Sequence, residues 1–473
     1  MLKTRTSGVL LSLGSLPGTL GIGDLGNDAY RFVDELKNSN TKLWQILPLN
    51  PVGYGNSPYQ TYSAFAGDEI YISIEKLYEY LKLELDFEKV VSSSINYDQV
   101  RSTKQAYLKT AFDHFQANED YKSFLKDAFW LEEYVQFISL KKKNDLKSWL
   151  EWEETEISTQ DLEYERFIQF IFFKQWMDLK QYANNKGILI VGDIPIYLGH
   201  DSAEVYFKQE QFHLDNDGRP TLVAGVPPDF FSTEGQLWGN PLYDWDTMKE
   251  DNYEFWIERM KWNQISYDVI RIDHFRAFDT YWAIPGDSDT ARKGEWLIGP
   301  RNDLFDALYE AIPNLQLVVE DLGDLRPEVL ELRDDYDLMG MKIVEFALNA
   351  WDLEKDHLLD KNLLAYTGTH DNQTIVGWLE DLGEAGAKDL ENNLLKMGYD
   401  DEELFEKINH YTLGLPCNWA ILPMQDIIGL DNEARINTPS TIGSPNWEWK
   451  LETFDQMIKP MQTFKNIIKK TNR

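Results

Sequence analysis

Apolar runs that end in acidic side chains occur three times in this chain, and they constrain its fold more than any other feature. Within the stretches 267–278, 315–323 and 363–372, such runs end at Asp273, at Glu320 and Asp321, and at His370 and Asp371. Parallel strands that are covered on both faces are apolar along their whole length. Because a charge is costly to bury, an acid directly after such a strand requires a specific role.

The first stretch allows two interpretations. Val269, Ile270 and Ile272 predict a short buried strand, and Arg271 and Asp273 alternate onto one face of it. The pair could be a structural ion pair. Alternatively, Asp273 is a catalytic carboxylate that a cation holds at the carboxyl end of a barrel strand, where barrel enzymes place their catalytic residues. The recurrence of an acid after three separate strands favours the second interpretation.

Eight predicted strands alternate with helical patterns along the chain. They cover residues 9–13, 43–49 and 187–197, begin at 269 and at 315, cover 339–346, begin at 363, and cover 420–425. Strictly alternating strands and helices indicate an α/β fold with a parallel sheet. We therefore predict a (β/α)₈ TIM barrel that spans residues 1–473.

Two segments interrupt the barrel pattern. Residues 75–186 are rich in Lys, Glu, Leu and Phe and have helical periodicity, which predicts a helical insertion after the second strand. Its expected helices cover 106–115, 121–143 and 162–184. Residues 200–246 are rich in proline and glycine and predict an irregular loop subdomain after the third strand.

The motif Gly21-Ile-Gly-Asp-Leu-Gly26 matches a dinucleotide-binding pattern, but its context does not fit. Asp24 would face the pyrophosphate, and Asn50 rather than an acid lies near the end of the next strand. We interpret the motif as a loop that leads into a helix over residues 28–36.

Composition excludes several classes of partner. The chain has 80 acidic and 46 basic residues and a net charge of −34. Nucleic acids and anionic membranes are bound by basic surfaces, so neither is an expected partner.

The single cysteine, Cys417, allows no intrachain disulfide, and the N-terminus lacks the pattern of a signal peptide. We therefore expect a cytoplasmic protein. The sequence contains no metal-binding cluster, and we expect no cofactor.

Short motifs along nearly the whole chain resemble the 4-α-glucanotransferases, also called amylomaltases or disproportionating enzymes. The motifs are Gly-Asn-Ser-Pro-Tyr at 55–59, Gly-Asp-Ile-Pro-Ile-Tyr at 192–197, Gly-Val-Pro-Pro-Asp at 225–229, Gly-Gln-Leu-Trp-Gly-Asn-Pro at 235–241, Arg-Ile-Asp-His-Phe-Arg at 271–276, Val-Glu-Asp-Leu-Gly at 319–323, Gly-Thr-His-Asp-Asn at 368–372 and Asn-Trp-Glu-Trp at 446–449. One position departs from the family pattern: Ala277 stands where the family usually has glycine. The family is similar in barrel and chemistry to the α-amylases. Most α-amylases carry a C-terminal β-domain after the barrel, and because the sequence ends soon after the eighth strand and its helix, we expect none here.

The resemblance implies a role for each acid. Asp273 would be the nucleophile, Glu320 the general acid/base, and Asp371 a third carboxylate that holds sugar hydroxyls. Further substrate-binding positions implied by the resemblance are Tyr59, Asp193, Arg271, His274, His370 and, on the acceptor side, Trp238 within the loop 225–241. From the residues themselves, Arg271 is expected to lower the pKa of Asp273, and the flanking valines are expected to raise that of Glu320.

The expected reaction moves an α-1,4-glucan segment from a donor maltodextrin to the 4-hydroxyl of glucose or another glucan. Malto-oligosaccharides and glucans are the expected substrates. The same carboxylates would serve an α-glucan hydrolase, in which water replaces the sugar acceptor. A catalytically inert glucan-binding protein is a further alternative, which three intact acids disfavour.

Overall fold

Parallel strands joined by helices form the centre of the structure, a computed structural model that describes residues 3–228, 233–323, 325–349 and 360–473. The strands are β1 Thr6–Leu10, β2 Leu43–Gln45, β3 Leu189–Ile194, β4 Leu222–Val226, β5 Gln236–Pro241, β6 Val269–Ile272, β7 Thr280–Pro285, β8 Glu295–Ile298, β9 Leu317–Val319, β10 Gly340–Ile343, β11 Leu363–Tyr366 and β12 Trp419–Pro423. The helices are α1 Asn27–Asn38, α2 Ile74–Leu81, α3 Tyr97–His114, α4 Glu119–Asp127, α5 Leu131–Lys143, α6 Thr159–Asn185, α7 Ala203–Phe207, α8 Trp245–Glu250, α9 Glu254–Ser266, α10 Arg301–Ala311, α11 Pro327–Asp335, α12 Val344–Asn349, α13 Ile375–Lys396, α14 Leu404–Gly414, α15 Met424–Ile428 and α16 Asp455–Lys470.

The eight-stranded parallel sheet closes into a barrel. Its strand order is β10-β11-β12-β1-β2-β3-β6-β9. A parallel bridge between Val318 and Met339 joins the two end strands, and the Val319 N–H donates to the Met339 carbonyl at 2.9 Å. The prediction of a (β/α)₈ barrel is confirmed. All eight predicted strands are present in the predicted order, although the first lies at Thr6–Leu10 and residues Leu13–Ser15 form a turn of 3₁₀ helix instead.

Two apolar layers surround the barrel wall. Inside, residues such as Val191, Val269, Val318 and Leu364 form one buried cluster. Outside, a larger cluster fills the space between the strands and the helices. Helix α1 shows the pattern: its buried positions Ala29, Phe32, Val33 and Leu36 share one face and pack against that outer cluster.

The segment between β2 and β3 contains α2 to α6. The prediction of one helix over 121–143 is wrong, because α4 ends at Asp127 and α5 begins at Leu131. Trp130, in the interruption, packs against Phe65 at 6.2 Å and Trp262 at 5.4 Å between ring centroids. These contacts with residues distant in sequence override the local helical pattern.

The segment 200–246, predicted to be irregular, contains α7, two strands and the start of α8. Strands β4 and β5 pair antiparallel with each other, and β4 pairs with β7 in the order β5-β4-β7-β8. The pairing is tight at Gly225, where an added Cβ would lie 2.2 Å from the Gln236 carbonyl oxygen. Along the chain, β7 comes after the next barrel strand, β6. No local sequence pattern therefore predicts that β7 pairs with β4.

Candidate active site

The predicted acids lie at the carboxyl ends of barrel strands. Asp273 follows β6, and Glu320 follows β9. The N–H of Asp273 donates to the Ile194 carbonyl at 3.1 Å, and that of Glu320 donates to the Ile272 carbonyl at 3.0 Å. The barrel hydrogen bonding thus continues one residue past these strands and fixes both acids in register.

Alternation along β6 places a charged layer above the apolar interior. Val269 lies in the inner cluster, and Arg271 and Asp273 follow at intervals of two on the same face. Arg271 is paired in register with Asp193 of β3. The layers therefore run from aliphatic side chains to a buried ion pair and then to the partly exposed acids.

Arg271 connects the acids of the site from a position that is only 1% exposed. Its Nη1 donates to both carboxylate oxygens of Asp193, at 2.6 and 2.7 Å, and to Oδ1 of Asp273 at 3.2 Å. Its Nη2 lies 3.4 Å from Oε2 of Glu320. One cation thus bridges the proposed nucleophile and the proposed acid/base.

His274 has a left-handed backbone conformation, with φ of 53°. Such a conformation is unusual outside glycine and occurs often at functional sites. Here the His274 N–H donates to Oε2 of Glu320 at 2.7 Å. Burial lowers the pKa of the His274 imidazole to about 4, so the ring is neutral at neutral pH. Ala277 is buried without a positive φ, so the alanine at this position introduces no backbone strain.

The electrostatics of the two acids differ from the expectation. Burial and the charge of Glu320 raise the pKa of Asp273, and together they outweigh Arg271. Burial acts to raise the pKa of Glu320, but Arg271, a hydrogen bond from Asp273 and the His274 N–H bring it down to about 2. The two carboxyl groups therefore titrate as a coupled pair. Both directions are opposite to the expectation from the sequence, in which Arg271 lowers the pKa of Asp273 and the valines raise that of Glu320.

Aromatic side chains form one wall of the site. Tyr59 stacks on His370 with 5.0 Å between ring centroids, and Trp447 lies 5.9 Å from Tyr59 and 5.8 Å from His370. The Tyr59 hydroxyl donates to Oδ2 of Asp193 at 2.8 Å. Burial and the charge of Asp193 raise the pKa of Tyr59 well above its usual range, so the phenol keeps its proton.

Asp371 lies on the same wall and contacts residues that sequence reasoning missed. Its Oδ1 accepts from Nδ2 of Asn437 at 2.6 Å, and its backbone carbonyl accepts from Arg435 at 2.6 Å. Its Oδ2 lies 3.5 Å from Nε2 of His370. Asn437 and Arg435 belong to a loop after the eighth barrel strand, and neither lies beside an apolar run that would have indicated a role.

Trp238 contacts His274, the residue whose N–H donates to Glu320. Its ring packs edge-on against His274 with centroids 4.9 Å apart. The Gln60 amide donates to the Trp238 carbonyl at 3.3 Å and to Oδ1 of Asn240 at 2.9 Å, which joins the tyrosine-rich loop to β5. Residues 229–232 of the predicted acceptor loop lie outside the described residues.

These groups border a cleft with a volume of about 660 Å³. Its lining includes Tyr59, Trp238, Asp273, His370 and Asp371. The structure therefore brings the predicted residues to one cleft or directly beneath it. Within the described residues, no group of three or more His, Cys, Asp and Glu side chains could hold a metal ion. None of the described helices is long and apolar enough to cross a membrane.

Comparisons with known proteins agree with this geometry. The family described as 4-alpha-glucanotransferase matches residues 11–456. The 4-alpha-glucanotransferase of Streptococcus pneumoniae serotype 4 is 40% identical over 490 residues, which cover 98% of this chain and 96% of that protein. That of Aquifex aeolicus is 40% identical over 471 residues, which cover 95% and 96%.

A solved structure extends the similarity to three dimensions. The amylomaltase from Streptococcus agalactiae, in complex with acarbose, superimposes with a TM-score of 0.93 at 34% identity, over 99% of both chains. Sequence and structure agree over nearly the whole length, so the chain belongs to the 4-alpha-glucanotransferase family and is an enzyme of the glycosyltransferase type.

Proposed function

We propose that this enzyme moves an α-1,4-glucan segment between malto-oligosaccharides by a retaining double displacement, with Asp273 as nucleophile and Glu320 as acid/base. The observation that carries the proposal is the pair of carboxyl groups, Asp273 and Glu320, that both contact Arg271 at the cleft. A retaining mechanism needs two carboxyl groups close together, one ionised and one protonated. Asp273 and Glu320 each shift the pKa of the other, and one proton on this coupled pair would meet the requirement.

In the first step, a carboxylate oxygen of Asp273 attacks the anomeric carbon while Glu320 gives its proton to the departing glycosidic oxygen. The bond from the anomeric carbon to that oxygen breaks, and an ester to Asp273 forms. In the second step, Glu320 removes a proton from the 4-hydroxyl of the acceptor. That oxygen attacks the anomeric carbon and releases Asp273.

This sequence requires the proton of the pair to be on Glu320 when the donor is bound. A glucan between the two carboxyl groups would remove their mutual hydrogen bond, which otherwise lowers the pKa of Glu320. Positive charge that develops at the anomeric carbon then favours ionised Asp273. Arg271 contacts both acids, so its positive charge stabilises the carboxylate of whichever acid is ionised.

The remaining residues of the cleft are proposed to bind and orient the sugar. Asp371, fixed by Asn437, is suited to accept hydrogen bonds from ring hydroxyls. Tyr59 and His370 present stacked rings to the donor side. Trp238 would hold the acceptor and shield the ester from water. Well-oriented reactants reach effective molarities of roughly 10⁵ M or more, above the concentration of water, so a bound acceptor outcompetes hydrolysis.

Incubation with maltotriose tests the proposal. Transfer conserves the number of glycosidic bonds, so glucose and chains longer than maltotriose appear together while the total of reducing ends stays constant. A hydrolase would increase the reducing ends and form no longer chains, which would refute transfer as the main reaction. We further propose that glucans of this kind are the physiological substrates and that the enzyme acts in the cytoplasm, which the single cysteine favours.

A further inference from the structure

The segment 367–375, which carries His370 and Asp371, is held at both ends by one buried acid. Asp426 is 1% exposed and lies on α15, directly after the eighth barrel strand. Its Oδ2 accepts from the Thr367 hydroxyl at 2.5 Å, and its Oδ1 accepts from the Ile375 N–H at 2.8 Å. A single carboxylate therefore fixes the start and the end of the segment.

A second acid contacts the middle of the same segment. Glu345 lies at the end of β10 on α12, and its N–H donates to the Thr367 carbonyl at 3.2 Å. Its carboxyl group is hydrogen-bonded to the side chain of Asn372. Asn372 in turn accepts from the Thr369 N–H at 2.9 Å. The contact network thus passes from Glu345 to the residues on either side of His370 and Asp371.

Neither acid lines the cleft, and neither has a place in the chemistry proposed above. Burying two neighbouring carboxyl groups costs free energy, because each loses its hydration. Packing alone therefore does not explain their presence. The charged groups that act on Glu345 are Asp426 on α15 and Arg435, which also donates to the Asp371 carbonyl at 2.6 Å. All of these contacts converge on the segment that carries His370 and Asp371.

We propose that Asp426 and Glu345 form a clamp, defined as these two acids with Thr367 and Asn372, that positions Asp371 and His370 for the sugar. The clamp rests on the proposed function, since it acts through Asp371. Asp426 and Glu345 are positioning residues, because they reach the substrate only through the segment. The geometry that supports the proposal is the pair of hydrogen bonds that Asp426 accepts from the two ends of the segment.

The protonation state of the clamp changes near neutral pH. Burial raises the pKa of Asp426 to about 6, and burial together with the charge of Asp426 raises the pKa of Glu345 to about 7. Oε2 of Glu345 has no hydrogen-bond partner among the described residues, so its neutral form fits the site better than its charged form. Because the folded-state pKa of Glu345 is raised, its contribution to stability is present at low pH and is lost as pH rises to about 7.

The substitutions Asp426→Asn and Thr367→Val test the clamp. The amide that replaces the Asp426 carboxylate could accept only one of the two hydrogen bonds, and valine cannot donate to Asp426. A displacement of about 1 Å at a reacting group can cost about 100-fold in rate. We expect kcat/KM for maltotriose transfer to fall by about 100-fold in either variant, and amide hydrogen exchange over 367–375 to become faster. Because both variants break one contact, the double variant is expected to lose little more than Asp426→Asn alone.

The matched control is Asp401→Asn, an acid-to-amide change at a side chain that is 8% exposed and contacts His410 and Lys470 on the outer helices. It is expected to leave both measurements unchanged. Normal kcat/KM in a folded Asp426→Asn or Thr367→Val variant would overturn the clamp. If wild-type protein failed to produce chains longer than maltotriose, the proposed function would be refuted instead, while hydrogen exchange would still report on the clamp.

The pH profile separates positioning from simple structural support. Wild-type kcat/KM is expected to decline as pH rises through about 7, when Glu345 becomes charged beside Asp426. Glu345→Gln keeps the shape of the side chain and cannot ionise, so its profile should lack this decline and retain the limbs that belong to Asp426, Asp273 and Glu320. Superimposable profiles for the wild type and Glu345→Gln would contradict the role of Glu345.

Discussion

At the scale of single residues, the charge balance around Arg271 determines the state of the site. One buried guanidinium contacts the carboxyl groups of Asp193, Asp273 and Glu320. Three ionised carboxylates around one cation would leave excess negative charge in a largely dehydrated site, and like charges raise the pKa of a neighbouring acid. The raised pKa of Asp273 follows from this arrangement.

Asp273→Asn removes the proposed nucleophile. An amide cannot form the glycosyl ester, so transfer is expected to fall by about 10³-fold or more, as after loss of other catalytic nucleophiles. The substitution preserves size and leaves Arg271 paired with Asp193, so the circular dichroism spectrum should be unchanged. Asp401→Asn serves as the control for a buried acid-to-amide change. Near-normal formation of longer maltodextrins by the Asp273 variant would refute its assignment.

Glu320→Gln separates the two chemical steps. A glucosyl fluoride donor has a leaving group that needs no proton, so the variant should still form the ester with Asp273. The ester should then persist, because no base activates the acceptor. Mass spectrometry of the intact protein should detect an added hexose in this variant and not in Asp273→Asn. If the variant accumulated no labelled enzyme, Glu320 would not be the acid/base.

At the scale of elements, the segments that follow the third and fourth barrel strands together form one four-stranded sheet. Strands β4 and β5 belong to the first of these segments, and β7 and β8 belong to the second. Their small sheet carries Trp238 to the side of His274. The hydrogen bonds of Gln60 tie this sheet to the loop after β2. This side of the cleft, where we propose that the acceptor binds, is therefore built from three segments that are distant in sequence.

Trp238→Ala tests the role of that sheet in retaining the acceptor. Loss of the indole removes apolar contact with a bound sugar, and about 1.4 kcal/mol of lost binding corresponds to a tenfold change. We expect the ratio of transfer to hydrolysis with maltotriose to fall about tenfold while the rate of donor cleavage changes less. The matched control is Trp296→Ala on β8, since Trp296 is exposed and does not line the cleft. An unchanged ratio in the Trp238 variant would exclude this residue from acceptor binding.

At the scale of the whole molecule, the apolar residues that stabilise the barrel and the acids of the proposed active site occupy different regions. Two apolar clusters, inside and outside the strands, support the wall, while the acids gather at the carboxyl ends. Asp24, within the glycine-rich motif near the N-terminus, forms a buried ion pair with Lys104 of α3 at 2.8 Å. The motif thus attaches the segment between β2 and β3 to the barrel. The division of the chain into a barrel, a helical insertion at 75–186 and a loop subdomain at 200–246 stays a prediction.

Metal independence is a prediction for the complete enzyme. The proposed mechanism uses only side chains, so transfer activity should survive exhaustive chelation with EDTA and dialysis. Thermal unfolding measured in parallel should also be unchanged. Loss of activity that calcium restores would show that an ion is required. Magnesium, added separately, controls for a general effect of divalent cations.

The sequence by itself determined the barrel, the order of its strands and the positions of Asp273, Glu320 and Asp371. These features follow from local patterns: apolar runs predict strands, and an acid directly after a buried strand lies at its carboxyl end. The same logic located α1 and α6 to within a few residues. Trp238, Tyr59 and Asp193 came from the family resemblance, and no local periodicity distinguishes them.

Only the tertiary structure decided which groups contact one another across the cleft. Asn437 and Arg435 reach Asp371 from a loop more than sixty residues away, as their sequence separations of 66 and 64 show. The pKa shifts of Asp273 and Glu320 depend on their distances from Arg271 and from each other, and the two acids follow different strands. Periodicity describes one segment at a time, whereas charge coupling depends on positions in space. The clamp at Asp426 is therefore a property of the folded chain alone.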